Sequence, residues 1–192
     1  MIGPATVATH TFEDAPTFDV IIVPGGGGLD TFDRENNTQI EDFLVSRYES
    51  TPYILSVCNG AVTLAKSGLL SGKRATTSKA AYKWVTDPKH GDDIQWMPSA
   101  RWVNDGKIWT SSGVSAGMDM MYAFLKHIYG DEEWVDFVMN LIEYVPHTDP
   151  HWDPFSVVWK VSLFFTLTKV LLVGILTRNT TPPHDYLFRH EC

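Results

Sequence analysis

Two short, unbroken apolar runs, FDVIIV (Phe18–Val23) and YILSV (Tyr53–Val57), each stop dead at a turn. The first ends at Pro24 and four glycines, Gly25 to Gly28; the second runs straight into Cys58-Asn59-Gly60-Ala61. Runs of this length without polar alternation are strands covered on both faces, which points to the interior of a parallel sheet. Between them Ile40, Phe43, Leu44 and Tyr48 recur at helical spacing, and after Cys58 the segment NGAVTLAKSG reads as a helix stopped by Gly68. Arg74 to Thr77 suggests a further strand and Ala80 to Val85 a short helix. Asn104-Asp105-Gly106-Lys107 is a hairpin signal between Arg101–Val103 and Ile108–Ser111. Ser115 is expected to cap a helix running to His127 with Gly130 as its stop. Asp131, Glu132 and Glu133 favour a helix start, with Trp134, Phe137, Val138, Leu141 and Ile142 as that helix's apolar face. Strands alternating with helices imply an open, mostly parallel sheet with helices on both faces, whose ligands bind at the carboxyl ends of the strands.

The chain has 192 residues, about one typical domain plus an extension. Its net charge of −8 and pI near 5.2 exclude a phosphate-backbone binder built on clustered Lys and Arg, so nucleic acid is set aside as a partner. Two cysteines, Cys58 and Cys192, allow neither a disulfide framework nor a Cys-rich zinc site. Met1 to His10 lacks the basic and apolar pattern of a secretory signal, and a cytoplasmic location is expected. The character changes near Asp153 and Pro154, giving an expected α/β domain over 1–154 and an extension over 155–192. The extension starts with an apolar run, 155–176, long enough to span a bilayer. Lys160 and Lys169 lie inside it, each costing roughly 2.5–3.5 kcal/mol at a membrane centre, so a membrane tether is the lesser alternative to a packed helix or an unrelated tail.

The segment Tyr53 to Ala61 has the layout of a nucleophile elbow. A sharp strand-to-helix turn presents the Cys58 side chain at the strand's carboxyl end, and Gly60 leaves room for the close approach. Unpaired N–H groups at the start of the helix favour the thiolate, the nucleophilic species. The backbone N–H of Asn59 is placed to stabilise an oxyanion, and Gly25, Gly26, Gly27 and Gly28 offer donors from the neighbouring strand end. Taken alone, a lone cysteine is equally a small core residue and a glycine run equally a plain turn.

DVIIVPGGGG, SVCNGAVTLAKSGLLSGKRATTS, WVNDGKIWTSSGVSAGMDM and IEYVPHTDP together resemble the ThiJ/PfpI family of the class I glutamine amidotransferase-like superfamily, in particular its isonitrile hydratase-like members. The resemblance runs from about Phe12 to Phe155. It implies a flavodoxin-like three-layer α/β sandwich, usually dimeric, with Cys58 as elbow nucleophile, a small-molecule substrate, and no organic cofactor or metal. It also implies a first strand and an acidic loop residue upstream of what is seen here. The chain is accordingly expected to be N-terminally truncated and to lack that strand in its sheet, with Glu13 and Asp14 as plain solvent-facing charges. Where many relatives place a histidine, this chain has Ser78, assigned to substrate binding. Where hydratase-like members often carry Thr after the cysteine, it has Asn59, which changes the side-chain contact to substrate. The implied activity is attack on a small electrophilic carbon with water as second reactant. The rival reading is an inactive member that binds a partner or senses oxidants through Cys58.

Other candidates weigh less. His147, Asp149, His151 and Asp153 form an H-x-D-x-H-x-D cluster whose spacing fits no standard zinc motif; it reads as a surface loop. Asn36-Asn37-Thr38 and Asn179-Thr180-Thr181 match glycosylation acceptors that a chain without a secretory signal would not use. Trp84, Trp96, Trp102 and Trp109 read as core or pocket walls.

Overall fold

The computed structural model describes residues 6–130 and 132–161. Strands β1 (Val20–Val23), β2 (Tyr53–Ser56), β5 (Trp102–Asp105) and β6 (Ile108–Ser111) form one sheet in the order β1-β2-β6-β5. β1 and β2 pair in parallel, as do β2 and β6, whereas β5 returns antiparallel across the Gly106-Lys107 turn. The expected strand at Arg74–Thr77 appears as β3 (Arg74–Ala75), paired with β4 (Gln95–Trp96) in a separate two-stranded sheet. The Thr76 N–H bonds the Thr110 hydroxyl (2.9 Å) instead of a ladder carbonyl, so the strand ends early.

Side chains of β2 alternate between two cores, as a period of two requires. Ile54 joins Val23, Leu44, Leu64 and Ile108 on the face covered by α2 (Gln39–Arg47) and α3 (Ala61–Lys66). Leu55 joins Trp102, Trp109, Met120 and Phe124 on the opposite face, beneath α5 (Val114–Tyr129). Two helix-covered faces around a mostly parallel sheet make the three-layer, flavodoxin-like α/β architecture. Trp102 and Trp109 are core; Trp84 and Trp96 pack at its margin.

The structure departs from the sequence reading in several places. The glycine run flows into an unforeseen helix, α1 (Gly28–Arg34). The short helix expected from Ala80 is α4 (Tyr82–Val85). Helix α5 starts at Val114 with Gly113 as N-cap, so Ser115 lies inside it and accepts a long hydrogen bond from Arg101 (3.5 Å). Helix α6 (Glu132–Leu141) forms, but it rests on a narrow seam of Val135 and Met139. Phe137 and Leu141, expected to face a core, are 61% and 70% exposed. Past Pro154 the described chain continues into a short helix, α7 (Phe155–Val158), with Asp153 and Ser156 buried. Most of the apolar run 155–176, Asn179–Thr181 and Cys192 lie outside the described residues. No helix among the described residues is long and apolar enough to cross a membrane.

β1 forms one edge of the sheet, and Ile22 on it is 47% exposed. A groove of about 430 Å³ runs along that edge, walled by Ile21, Ile22, Leu29, Phe32 and Phe43 and reaching Gly25 and Gly26.

Candidate active site

Cys58 sits one residue beyond β2, after Val57, at φ +61°, a left-handed conformation that costs a residue with a Cβ roughly 1–2 kcal/mol. Neighbouring bonds hold it there. The Val57 N–H bonds the Val23 carbonyl (3.0 Å), extending the β1–β2 ladder by one rung. On the far side the Thr77 hydroxyl donates to the Cys58 carbonyl (2.9 Å). The chain then turns through a 3-10 segment, Cys58–Gly60, into α3. A Cβ on Gly60 would stand 2.6 Å from the Val23 carbonyl oxygen, so the close approach expected of this glycine is real. A Cβ on Gly117 in α5 would stand 2.7 Å from Val57 Cγ1, and the elbow is gripped from that face too. The thiol is half-buried and free, with no hydrogen-bond partner among the described residues.

The glycine loop serves the elbow unevenly. A Cβ on Gly25 would lie 2.7 Å from Cys58 Cβ and 3.0 Å from Asn59 N, so this residue is pressed against the nucleophile, whereas Gly26, Gly27 and Gly28 have open space. Gly27 and Gly28 cap and begin α1. The Gly26 N–H, expected as an oxyanion donor, is taken up by Asn59 Oδ1 (2.8 Å), and Asn59 Nδ2 donates back to the Gly26 carbonyl (3.1 Å). The Asn59 side chain, expected against substrate, is therefore turned onto the loop. No sequence pattern announces that pair, because its members are 33 residues apart.

α1 is tied down by a charged cluster. Asp33 accepts from Lys66 (3.1 Å), Lys89 (3.1 Å) and buried His90 (3.1 Å). Burial alone would raise the Asp33 carboxyl, but its hydrogen bonds from His90, Lys89 and Lys66 hold it well below the usual carboxylate range.

Ser78 is buried and lines a cavity of about 200 Å³ with Lys79, Arg101, Gly113, Asp153 and Trp159; the residue of its segment that touches the elbow is Thr77. Sequence reasoning also missed the polar core behind this cavity. Arg101 Nε binds Asp119 Oδ2 (2.6 Å), while the Tyr144 hydroxyl (2.5 Å) and the His147 N–H (2.8 Å) donate to Asp119 Oδ1. Arg101 also faces buried Asp153 at 3.6 Å. The signal was present in α5, where Asp119 is the lone acid beside Ala116 and Met120 on the buried face. Burial, aided by the hydrogen bond to Asp119, pushes the Tyr144 hydroxyl up to about 12. Lys79 Nζ donates to Ala100 O (2.7 Å) and Thr76 Oγ1 (2.8 Å), yet burial still lowers it to about 8.

Glu13 and Asp14 are exposed, Asp14 accepting from the Thr11 N–H in an N-terminal turn (2.6 Å). The His147–Asp153 stretch is tied up in this scaffold. Among the described residues no group of three or more His, Cys, Asp or Glu side chains converges to hold a metal ion.

The profile of the DJ-1/PfpI family matches residues 1–127. An isonitrile hydratase of Pseudomonas putida is 37% identical over 139 residues, which are 72% of this chain and 57% of the hydratase. The chain thus spans little more than half of that relative's length. A ThiJ/PfpI family protein from Pseudomonas syringae superposes with a TM-score of 0.62 at 27% identity, over 90% of this chain and 67% of the other. The Drosophila melanogaster DJ-1beta structure shares the fold, with a TM-score of 0.56 at 23% identity over 70% of this chain and 67% of the other. Elbow, glycine loop and sheet order therefore accompany a match over well over half of the sequence, and the chain belongs to the DJ-1/PfpI family.

Proposed function

We propose that this protein is a cysteine-dependent hydratase or hydrolase of small electrophiles, isonitriles being the first class to try, with Cys58 as nucleophile. The observation that carries the reading is the left-handed backbone of Cys58. Strain kept at one residue by bonds from both sides is a mark of a presented functional group. With an isonitrile, the Cys58 sulfur adds to the terminal carbon, which takes up a proton to give a thioimidate. Water then adds to that carbon and the thiol leaves, releasing the N-substituted formamide. The backbone N–H of Asn59 faces the oxygen-bearing intermediate of the second half.

The rival reading uses the same thiol: free and half-buried, it is open to oxidation by peroxide to a sulfenic acid and so to use as a sensor. Turnover separates the two. The 192-residue chain and Cys58→Ser are incubated with an alkyl isonitrile, and formamide is followed by chromatography. Formamide from the wild type alone supports the hydratase; no formamide from a chain whose Cys58 still alkylates and oxidises replaces it with the sensor.

A further inference from the structure

We propose that the Asn59 carboxamide is a positioning residue: it clamps the Gly25–Gly26 turn beside Cys58 and thereby sets the oxyanion donors, without touching substrate. The inference rests on the reading of Cys58 as a nucleophile. Three observations carry it. Asn59 grips both polar groups of Gly26, its N–H at 2.8 Å and its carbonyl at 3.1 Å. Gly25 is packed so closely on Cys58 and Asn59 that a Cβ there would lie 2.5 Å from Asn59 Oδ1 and 2.7 Å from Cys58 Cβ. Among the described residues, the one other backbone bond of Gly26 is long, from the Leu29 N–H to its carbonyl (3.4 Å).

The chemistry fits this residue type. A carboxamide offers an acceptor and a donor side by side, matching the donor and acceptor of a peptide; a carboxylate lacks the donor, and a hydroxyl does not span both. Since the Gly26 N–H is occupied, it is not one of the oxyanion donors. Those that remain are the Asn59 N–H, in the first turn of a 3-10 segment where no intrahelical acceptor exists, and the Gly25 N–H of the turn that the clamp holds. Substrate selection accordingly falls to groups other than the Asn59 side chain.

Two reactions of one thiol test this. Iodoacetamide alkylates sulfur by displacing iodide, and no oxyanion forms. p-Nitrophenyl acetate is attacked at its carbonyl: the carbon–sulfur bond forms, the π pair passes to oxygen, and collapse expels p-nitrophenolate and leaves acetylated Cys58. The ratio of the two rate constants cancels differences in thiolate content and reads the oxyanion contribution. In Asn59→Ala the alkylation rate is expected to stay within about twofold while acylation falls about 10²-fold, the usual effect of losing an oxyanion donor. Asn59→Asp, which keeps an acceptor for the Gly26 N–H, is expected to fall less, and it serves if the alanine variant fails to fold by circular dichroism. An unchanged ratio in the variants that fold overturns the clamp. A wild-type chain that alkylates but gives no nitrophenolate burst overturns the nucleophile reading itself, and the clamp with it.

Discussion

Gly60→Ala tests the elbow's construction directly. Gly60 has φ −56° and ψ −22°, ordinary helical values at which alanine is preferred over glycine by roughly 0.5–1 kcal/mol. Backbone conformation alone thus predicts a more stable protein. The added Cβ, however, would stand 2.6 Å from the Val23 carbonyl oxygen and 3.0 Å from that of Pro24, short of the about 3.3 Å at which carbon and carbonyl oxygen normally meet. Both obstacles are backbone, at the end of β1, so no side chain can swing aside. Overpacking of this kind typically costs about 1–3 kcal/mol, which leaves a net loss of up to about 2.5 kcal/mol. At about 2–4 °C per kcal/mol for a chain of this size, Tm should fall by up to roughly 10 °C. Gly27→Ala is the control, with φ −66°, ψ −21° and nothing within 4 Å; it should leave Tm unchanged or raise it slightly. The displacement in Gly60→Ala falls on the rung between Val57 and Val23, so Cys58 alkylation by iodoacetamide should also change. Thermal unfolding followed by circular dichroism decides the matter. A Gly60→Ala melt at or above both wild type and Gly27→Ala would refute the close approach on which the elbow depends.

Removing Arg101 leaves the carboxylates of Asp119 and Asp153 buried without their cation, so Arg101→Ala should cost about 3–5 kcal/mol in urea unfolding; a loss under about 1 kcal/mol would mean that the network is not closed. Lys79 is lowered to about 8 by burial, which outweighs the attraction of Asp153 and is helped by the repulsion of Arg101. Between pH 8 and its unfolded value near 10.4 the unfolded chain therefore binds more protons, and the buried amine contributes a rise in stability with pH. From pH 8 to 9.5 the gain in wild type relative to Lys79→Met should be about 1–2 kcal/mol, below the range where Tyr144 and Tyr82, both raised by burial, begin to oppose it; a flat difference would refute the shift. Asp33 has its folded value depressed, so its contribution is present near neutrality and lost as pH falls through the acid range. Asp33→Asn should flatten the decline of Tm below pH 5, and an unaltered acid limb would count against the cluster with His90.

Where the sequence speaks in runs, it speaks clearly. YILSV is a buried parallel strand at the centre of the sheet, and the cysteine directly after it could lie only at a strand end; FDVIIV, whose run reads the same way, pairs in parallel beside it but forms the sheet edge, with Ile22 exposed. Long-range polar pairing leaves no such trace. Nothing in the order of residues says that Asn59 reaches Gly26, that Thr77 rather than Ser78 touches Cys58, or that Lys79 is sealed among carbonyls, because each is decided by which loops the sheet brings together. Helix α6 fails differently. Its apolar residues repeat at the right spacing, but periodicity reports only that a stripe exists; Val135 and Met139 occupy its core edge while Phe137 and Leu141 face outward.

The conformational cost at Cys58, roughly 1–2 kcal/mol, is small beside what restrains it. Bonds from Val57 to Val23, from Thr77 to Cys58 and between Asn59 and Gly26 contribute about 1 kcal/mol each in a typical protein setting. They come from four separate stretches: the end of β1, the glycine turn, the elbow and the segment after β3. The thiol's presentation is therefore a property of how β1 and β2 end side by side. Strand register sets it: Val23 lies opposite Ser56, so β1 gives way to Pro24 and the glycines just where β2 reaches Val57 and Cys58. A one-residue slip would reverse which face each β1 side chain serves, moving Val23 out of the core while pulling Gly25 away from Cys58. Because Ile21 and Val23 are held by the apolar face, the packing that stabilises the sheet also aligns the nucleophile with its loop, and stability and site geometry should fail together in variants of β1.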